Sequence, residues 1–337
     1  MTILARDIDI PEVVAQLRRA RTIVMTTHVK PDGDALGSIA ALRRWLRSLG
    51  KTVHVVVPSP APAKYAFLDP EQAFKAAGRD LDLASLPQPD LVCILDTSAW
   101  LQLPGMEPLV ANSGAPVLVI DHHRTSDDLA TAQFIDPSAP ATASIVYRIL
   151  VEAGATIDPE TATCLFIGLA LDTDWFRLAT TDPEALRLAA TLVEAGAKPH
   201  EVYDRLYMEE DLGRMRLRGH AVEMLRPALG GRVIIMRLTG DMFHQFGVDL
   251  GDTENLVNEC MRVRGSLVGV MLVEAGRGEV RVSLRCRPPI NVLPVAEKFG
   301  GGGHHRAAGA KMTGTLDAVE GEVLAAVREA LDRAPST

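Results

Sequence analysis

Histidines and carboxylates recur in this chain in groups that could do chemistry together. His28, Asp32 and Asp34 stand in THVKPDGDALGS, Asp96 stands in DTS, and Asp121, His122 and His123 are consecutive. A fourth acidic group, Asp172 and Asp174, closes the apolar segment LALDTDWF. Imidazoles mixed with carboxylates suit Mn2+, Fe2+ or Co2+, whereas structural zinc favours cysteine ligands. The H-x3-D-x-D spacing can feed two ions, because Asp32 and Asp34 can diverge around Gly33. Two divalent ions about 3.5–4 Å apart turn bound water into hydroxide and clamp both oxygens of an in-line phosphoryl displacement. Taken singly, an Asp after a strand is usually a cap or turn residue, and Asp34 could cap the helix that follows it. Caps do not require neighbouring histidines, so the set as a whole points to a metal centre. Asp172 or Asp174 could complete it.

A second cluster is FGGGGHHRAAG (299–309). Its four glycines permit positive φ and close backbone approach to a ligand, and backbone N–H groups there can cradle an anion. The GK[ST] ending of a P-loop is missing, and the Rossmann fingerprint is absent. Residues 277–311 hold seven basic side chains (Arg277, Arg281, Arg285, Arg287, Lys298, Arg306, Lys311) against Glu279 and Glu297. That local excess in a chain of net charge −8 favours an anionic ligand.

The elements that must position these residues follow from the apolar runs. Segments 22–27, 52–57, 90–96 and 116–121 are Val/Ile/Leu-rich and of strand length, and helical patterns lie at 34–49 and 141–153, closed by Gly50 and Gly154. A short helix at 10–20 opens on Pro11. Continuous apolar strands separated by helices predict a doubly wound, mostly parallel α/β sheet. His28, Asp96 and Asp121 then fall at carboxyl ends of strands, where open α/β sheets bind ligands. Residues 159–174 read as a helix and 183–226 as a helical connector broken at Gly196 and Pro199. Strands at 231–238, 266–274 and 279–286, with helices at 291–299 and 315–333, make a smaller α+β domain. The expected organisation is 1–182, a connector at 183–226, and 227–337.

The 337 residues are 47% hydrophobic and 23% charged, which excludes a disordered chain. Thirty-five basic against 43 acidic side chains argue against coating long nucleic acid by bulk charge. Eight Phe, four Tyr and three Trp are too few for a long base-stacking track. Cys93, Cys164, Cys260 and Cys286 form no CxxC pair and read as buried thiols in a reducing compartment. Asp7, Asp9 and Glu12 interrupt any signal peptide, and no long apolar run spans a membrane. A cytoplasmic protein is expected.

Together these motifs resemble the DHH phosphoesterase superfamily, named for the motif that stands here as Asp121-His122-His123. The resemblance covers almost the whole chain: THVKPDGDALGS, DTS, DHH and LDTDWF match the DHH domain, and FGGGGHHRAAG resembles the glycine-rich motif of the DHH-associated domain. Within the superfamily, the length and the GGGGH form are similar to the bacterial oligoribonuclease (nanoRNase)/pAp-phosphatase branch. The resemblance implies a hydrolase using two Mn2+ ions, with Mg2+ or Co2+ as substitutes. One ion would be held by His28, Asp32, Asp96 and Asp172, the other by Asp34, Asp96, His122 and Asp172. His123 would act at the scissile phosphate and Asp121 would orient the histidines. Arg285, Gly301, Gly302, Gly303 and His304 would hold the rest of the substrate. Asp174 replaces a family glycine, Gln102 a basic residue and Ser126 an asparagine. The implied substrates are short oligoribonucleotides, cut to mononucleotides, or 3′-phosphoadenosine 5′-phosphate, cut to AMP. A cyclic- or linear-dinucleotide phosphodiesterase is the enzymatic alternative, and a nucleotide- or RNA-binding regulatory module the non-enzymatic one. A homodimer is compatible with either.

Overall fold

The computed structural model describes residues 6–123, 127–276 and 278–333; Ser126 and Arg277, singled out above, lie outside them. The chain divides into two compact units, Met1–Glu209 and Glu210–Thr337. Among the described residues, the first unit carries β1 (Arg6–Asp7), β2 (Thr22–Thr26), β3 (Thr52–Val57), β4 (Phe74–Ala76), β5 (Leu91–Leu95), β6 (Val117–Asp121) and β7 (Ala132–Ile135). They form one sheet in the order β1-β7-β6-β5-β2-β3-β4, with every pairing parallel. Its helices are α1 (Ile10–Arg19), α2 (Gly33–Ser48), α3 (Glu107–Val110), α4 (Thr142–Glu152), α5 (Pro159–Asp172), α6 (Pro183–Glu194) and α7 (Pro199–Tyr207).

The expected doubly wound sheet is present, and its cores explain the continuous apolar runs. Val24, Val92, Ile94 and Val119 join one core with Leu103, Met106 and Leu109. Their neighbours Ile23, Met25, Cys93, Leu95 and Leu118 join the opposite core with α1, α2, α4 and α5. Strands buried on both faces have no polar side to show. The chain builds outward from β2 to β3 and β4, then returns to place β5 on the other flank of β2. Strand order therefore reverses between β2 and β5, whose carboxyl ends open the crevice that such sheets use for ligands.

Helices α2 and α5 approach closely because glycines face the contact. A Cβ at Gly37 would lie 2.4 Å from the Cys164 carbonyl oxygen, and one at Gly168 would lie 2.6 Å from both Ala143 Cβ and Asp34 Oδ1. Small residues here let the two ends that carry acidic groups meet.

In the second unit the described elements are α8 (Leu212–Glu223), β8 (Arg226–Ala228), β9 (Val233–Leu238), α9 (Gly240–Phe246), α10 (Val257–Cys260), β10 (Val268–Glu274), β11 (Glu279–Cys286), α11 (Leu293–Glu297), β12 (Gly302–His304), β13 (Ala307–Thr313) and α12 (Leu316–Arg333). The sheet order is β12-β13-β11-β10-β9-β8, with only β9 and β10 parallel. The stretch 183–226 is three helices, α6 to α8, interrupted at Gly196 and Pro199, and Arg226 already begins β8. The division between the units falls inside this stretch. Among the described residues, no helix is long and apolar enough to cross a membrane.

Candidate metal centre

The acidic and imidazole groups arrive at the β2/β5 crevice from the strand ends of β2, β5 and β6 and from the ends of α2 and α5. His28 follows β2, and its Nδ1 lies 3.0 Å from the Val29 carbonyl oxygen. A carbonyl can only accept, so Nδ1 carries a proton and Nε2 is the atom offered to a metal. Asp32 is the N-cap of α2, its Oδ1 accepting from the Asp34 and Ala35 amides at 2.9 and 3.1 Å. This corrects the capping role considered for Asp34. Asp34 is buried inside the first turn and reaches across to α4, accepting from the Thr142 and Ala143 amides at 2.6 and 2.9 Å. The residue before α4, Ala141, has no capping side chain, so Asp34 caps that helix from a neighbouring one. Asp96, after β5, has a left-handed φ of 62°. For an aspartate this conformation costs on the order of 1–3 kcal/mol and persists only where surrounding contacts impose it. The Thr142 hydroxyl donates to Asp96 Oδ1 at 2.8 Å and is one such contact. His122 follows β6 with Nδ1 3.1 Å from the Ala139 carbonyl oxygen, so it too presents Nε2.

The two presented nitrogens face opposite oxygens of one carboxylate. His28 Nε2 is 3.5 Å from Asp96 Oδ2, and His122 Nε2 is 3.6 Å from Asp96 Oδ1. His28 Nε2 also lies 3.9 Å from Asp32 Oδ1, and His122 Nε2 lies 3.5 Å from Asp172 Oδ2. These separations are too long for hydrogen bonds and suit pairs of atoms each about 2.0–2.2 Å from a shared divalent ion. Three groups of potential ligands gather within 4.8 Å: His28–Asp32–Asp96, Asp34–His122–Asp172 and Asp96–His122–His123. Asp174 belongs to none of them; its carboxylate pairs with Arg177 instead.

The electrostatics call for cations. Burial, then the charges of Asp96, Asp172 and Asp32, push the Asp34 carboxyl well above the usual range. Burial raises Asp172 to about 6, the Asp96 and Asp32 charges adding to it and His122 partly opposing it. Burial pulls His28 down, but the adjacent carboxylates of Asp32 and Asp96 overcome it and raise the imidazole to about 10. Carboxylates that repel one another at close range in a half-buried crevice, beside histidines with fixed tautomers, fit a divalent-ion site by donor chemistry.

His123 is arranged differently. Its Nδ1 lies 2.8 Å from Asp121 Oδ1, which leaves Nε2 directed away from that bond, and its side chain is half exposed. The bond to Asp121 raises this imidazole to about 9 against partial burial. Asp121 is fully buried and accepts from the His122 and His123 amides, the His123 ring and the Ser98 hydroxyl. Burial alone would raise its pKa, but these donors outweigh that and hold it low.

In the second unit, Gly301 and Gly303 serve the sheet. A Cβ at Gly301 would sit 2.1 Å from the Gly309 carbonyl oxygen, and one at Gly303, whose φ is +138°, would sit 2.5 Å from the Ala307 carbonyl oxygen. Nothing lies within 4 Å of a Cβ at Gly302. Arg285 and His304 both register with Ala307, from β11 and β12 respectively. They therefore share one sheet face about 10 Å apart, two strand spacings. His304 is exposed. Arg285 is half-buried, donating to Asn258 Oδ1 and the Leu284 carbonyl oxygen, with no carboxylate ion pair among the described residues. Burial lowers its pKa.

The DHH family N-terminal domain matches residues 22–169, and the DHHA1 domain matches residues 230–334. A bifunctional oligoribonuclease and PAP phosphatase NrnA from Thermus thermophilus is 35% identical over 93% of this chain and 91% of its own length. The chain belongs to the DHH family. An exopolyphosphatase-related protein from Bacteroides fragilis, 26% identical, superposes with a TM-score of 0.86 over 96% of this chain and 95% of its own. A manganese complex of RecJ from Thermus thermophilus shares the fold, with a TM-score of 0.53 at 17% identity over 97% of this chain and 55% of its own.

The DHH motif itself divides into three tasks in this chain. Asp121 gathers the loop, His122 presents Nε2 to the carboxylates, and His123 stays half exposed with its Nδ1 bonded to Asp121. Sequence reasoning missed Thr142, which bonds Asp34 through its amide and Asp96 through its hydroxyl. It also missed Asp127, which accepts from the Trp100 amide and whose own amide bonds the Ser98 carbonyl, tying the loops after β5 and β6 together. Ser98 was legible only as a neighbour of Asp96. Thr142 carries no local signal, since its role depends on the first turn of α2 and the end of β5, both far away in sequence.

Proposed function

We propose that this chain is a manganese-dependent phosphoesterase that hydrolyses short oligoribonucleotides to mononucleotides, 3′-phosphoadenosine 5′-phosphate to AMP, or both. The carrying observation is Asp96: one strained, buried carboxylate whose two oxygens face two histidines from different strands, the arrangement a bridging ligand needs. His28, Asp32 and Asp96 would hold one ion, Asp34, Asp96 and His122 the other, with Asp172 shared. Bound divalent ions supply an activated water and neutralise phosphate charge. The protein's own groups do the rest. Thr142 and the α4 amides fix Asp34 and Asp96, so the ligand geometry precedes binding. His123, held charged and oriented by Asp121, donates through Nε2 to a phosphate oxygen. In the second domain, 227–337, the Arg285–His304 face with the open Gly302 offers cationic and backbone donors for a further phosphate, and residues 1–182 supply the metal centre. The substrate pair follows the name of the Thermus thermophilus relative, and the acidic balance of the chain favours a short substrate over a long one. A cytoplasmic location is supported by four free, buried cysteines.

The test is product release by the full chain with Mn2+ on a five-residue RNA, 3′-phosphoadenosine 5′-phosphate, a cyclic dinucleotide and pyrophosphate. Turnover of the first or second, abolished by Asp96→Asn, is expected. Unchanged turnover in that variant, or turnover of pyrophosphate alone, would refute the proposal.

A further inference from the structure

The first unit contains a second concavity, remote from the metal centre. It has a volume of about 860 Å³ and is walled by the far ends of α1, α2, α4 and α5, by α7 and the turn before it, and by the segment leading to β4. That volume lies in the range of pockets that enclose a small organic ligand. α2 carries Asp34 at its first turn and Arg43 and Arg47 at the cavity, about 14 and 20 Å further along its axis. α5 has Asp172 at one end and Asp158 to Cys164 at the other. α4 is capped by Asp34 at one end, and Ala153 to Thr156 just beyond its other end line the cavity.

The chemistry of the wall is specific. Six cationic side chains face four carboxylates, a positive site in a chain of net charge −8. Arg43 and Arg47 both bond a single oxygen, Glu71 Oε2, from a side chain that is itself more than half exposed. Arg43 is nearly buried and its Nε–H has no hydrogen-bond partner. Two guanidiniums sharing one monoanionic oxygen are under-neutralised, and a guanidinium fork with a free Nε–H matches two oxygens of a phosphate. Trp45, Phe67 and Phe74 line the same cavity and provide an aromatic wall.

We propose that this cavity binds a nucleoside monophosphate, its phosphate entering between Arg43 and Arg47 in place of the Glu71 carboxylate and its base lying against Trp45, Phe67 and Phe74. The site stands on its own residues, whether or not the chain hydrolyses RNA.

Isothermal titration of the full chain with AMP, in EDTA so that the metal centre holds no ion, tests this. AMP is expected to bind about ten-fold or more tightly than inorganic phosphate or adenosine. Arg47→Glu, at a half-exposed position, is expected to weaken AMP by about ten-fold or more, while Arg285→Ala leaves it within about two-fold. Arg43→Gln is a second variant, and thermal melting verifies that both fold. The proposal is overturned if AMP fails to bind, if phosphate alone binds as well, or if Arg285→Ala abolishes binding that Arg47→Glu retains.

Discussion

Gly168→Ala sets helix propensity against packing at the metal centre. On propensity alone, alanine for glycine inside α5 should stabilise by about 0.8–1.0 kcal/mol. The added methyl, however, would lie 2.6 Å from Ala143 Cβ and 2.6 Å from Asp34 Oδ1. Carbon atoms settle at about 3.5–4.0 Å, so the first turn of α4 or the Asp34 carboxylate must withdraw by roughly 1 Å. Overpacking of this kind costs about 1–3 kcal/mol. Withdrawal also strains the bonds that Asp34 accepts from Thr142 and Ala143, each worth about 1.5–3 kcal/mol to a charged acceptor. The net expectation is a loss of about 1–2 kcal/mol, seen as a fall of about 2–8 °C in melting temperature. Mn2+ affinity should drop by about 10–100-fold, as for other displaced ligand supports. Melting with and without Mn2+, and calorimetric titration of the metal, measure both. A variant that melts higher than the parent and binds Mn2+ equally well would show that Gly168 is not needed for the approach of α5 to Asp34.

Saturating Mn2+, at about 100 times its dissociation constant, should stabilise by about 2.7 kcal/mol and raise melting by about 5–10 °C, an effect lost in Asp96→Asn. Without metal, stability should fall as pH rises from about 4 to 8. Asp172 retains its proton to about 6 in the folded chain against 3.8 unfolded, a difference of order 3 kcal/mol once ionised. The folded-state values near 10 for His28 and near 9 for His123 act in the same direction above 6.5, because protonation stabilises the fold and is lost as pH rises. Melting curves across this range check the sign, and Asp172→Asn should flatten the acidic part. His123→Ala should lower kcat by about 10²–10⁴-fold with Mn2+ affinity retained, in steady-state kinetics and metal titration. Gly303→Ala should destabilise by about 1–3 kcal/mol in denaturant unfolding, whereas Gly302→Ala should leave stability unchanged.

Much of this structure was legible because its signals are local. β2, β5 and β6 are apolar on both faces and announce a parallel sheet, and Pro11, Gly50, Gly154 and Gly196 mark helix ends. The short strands β1, β4, β7 and β8 escaped notice because two to four residues at a sheet edge or beside one show no periodicity, and β13 because Ala and Gly hide its pattern. The positions of Asp32, Asp96 and the DHH residues followed from strand ends, which pattern reveals. What Asp34 does there did not, since its partners on α4 lie more than a hundred residues away. The glycine run shows the opposite failure: a strong local signal for ligand contact, two of whose four residues are required by the backbone of β13.

The spread of the ligand set along the chain bears on how the protein is made. His28 comes near the start of the first unit and Asp172 at the end of α5, with Thr142 between them tying Asp34 to Asp96. At about 5–20 residues per second, a ribosome needs roughly 7–30 s to pass from the first of these residues to the last. Throughout that interval a nascent chain offers scattered aspartates but no assembled site. On the proposed ligand set, the Asp34–His122–Asp172 group would be complete only when α5 has docked against α2, so full metal uptake would reward finished molecules rather than partly folded ones.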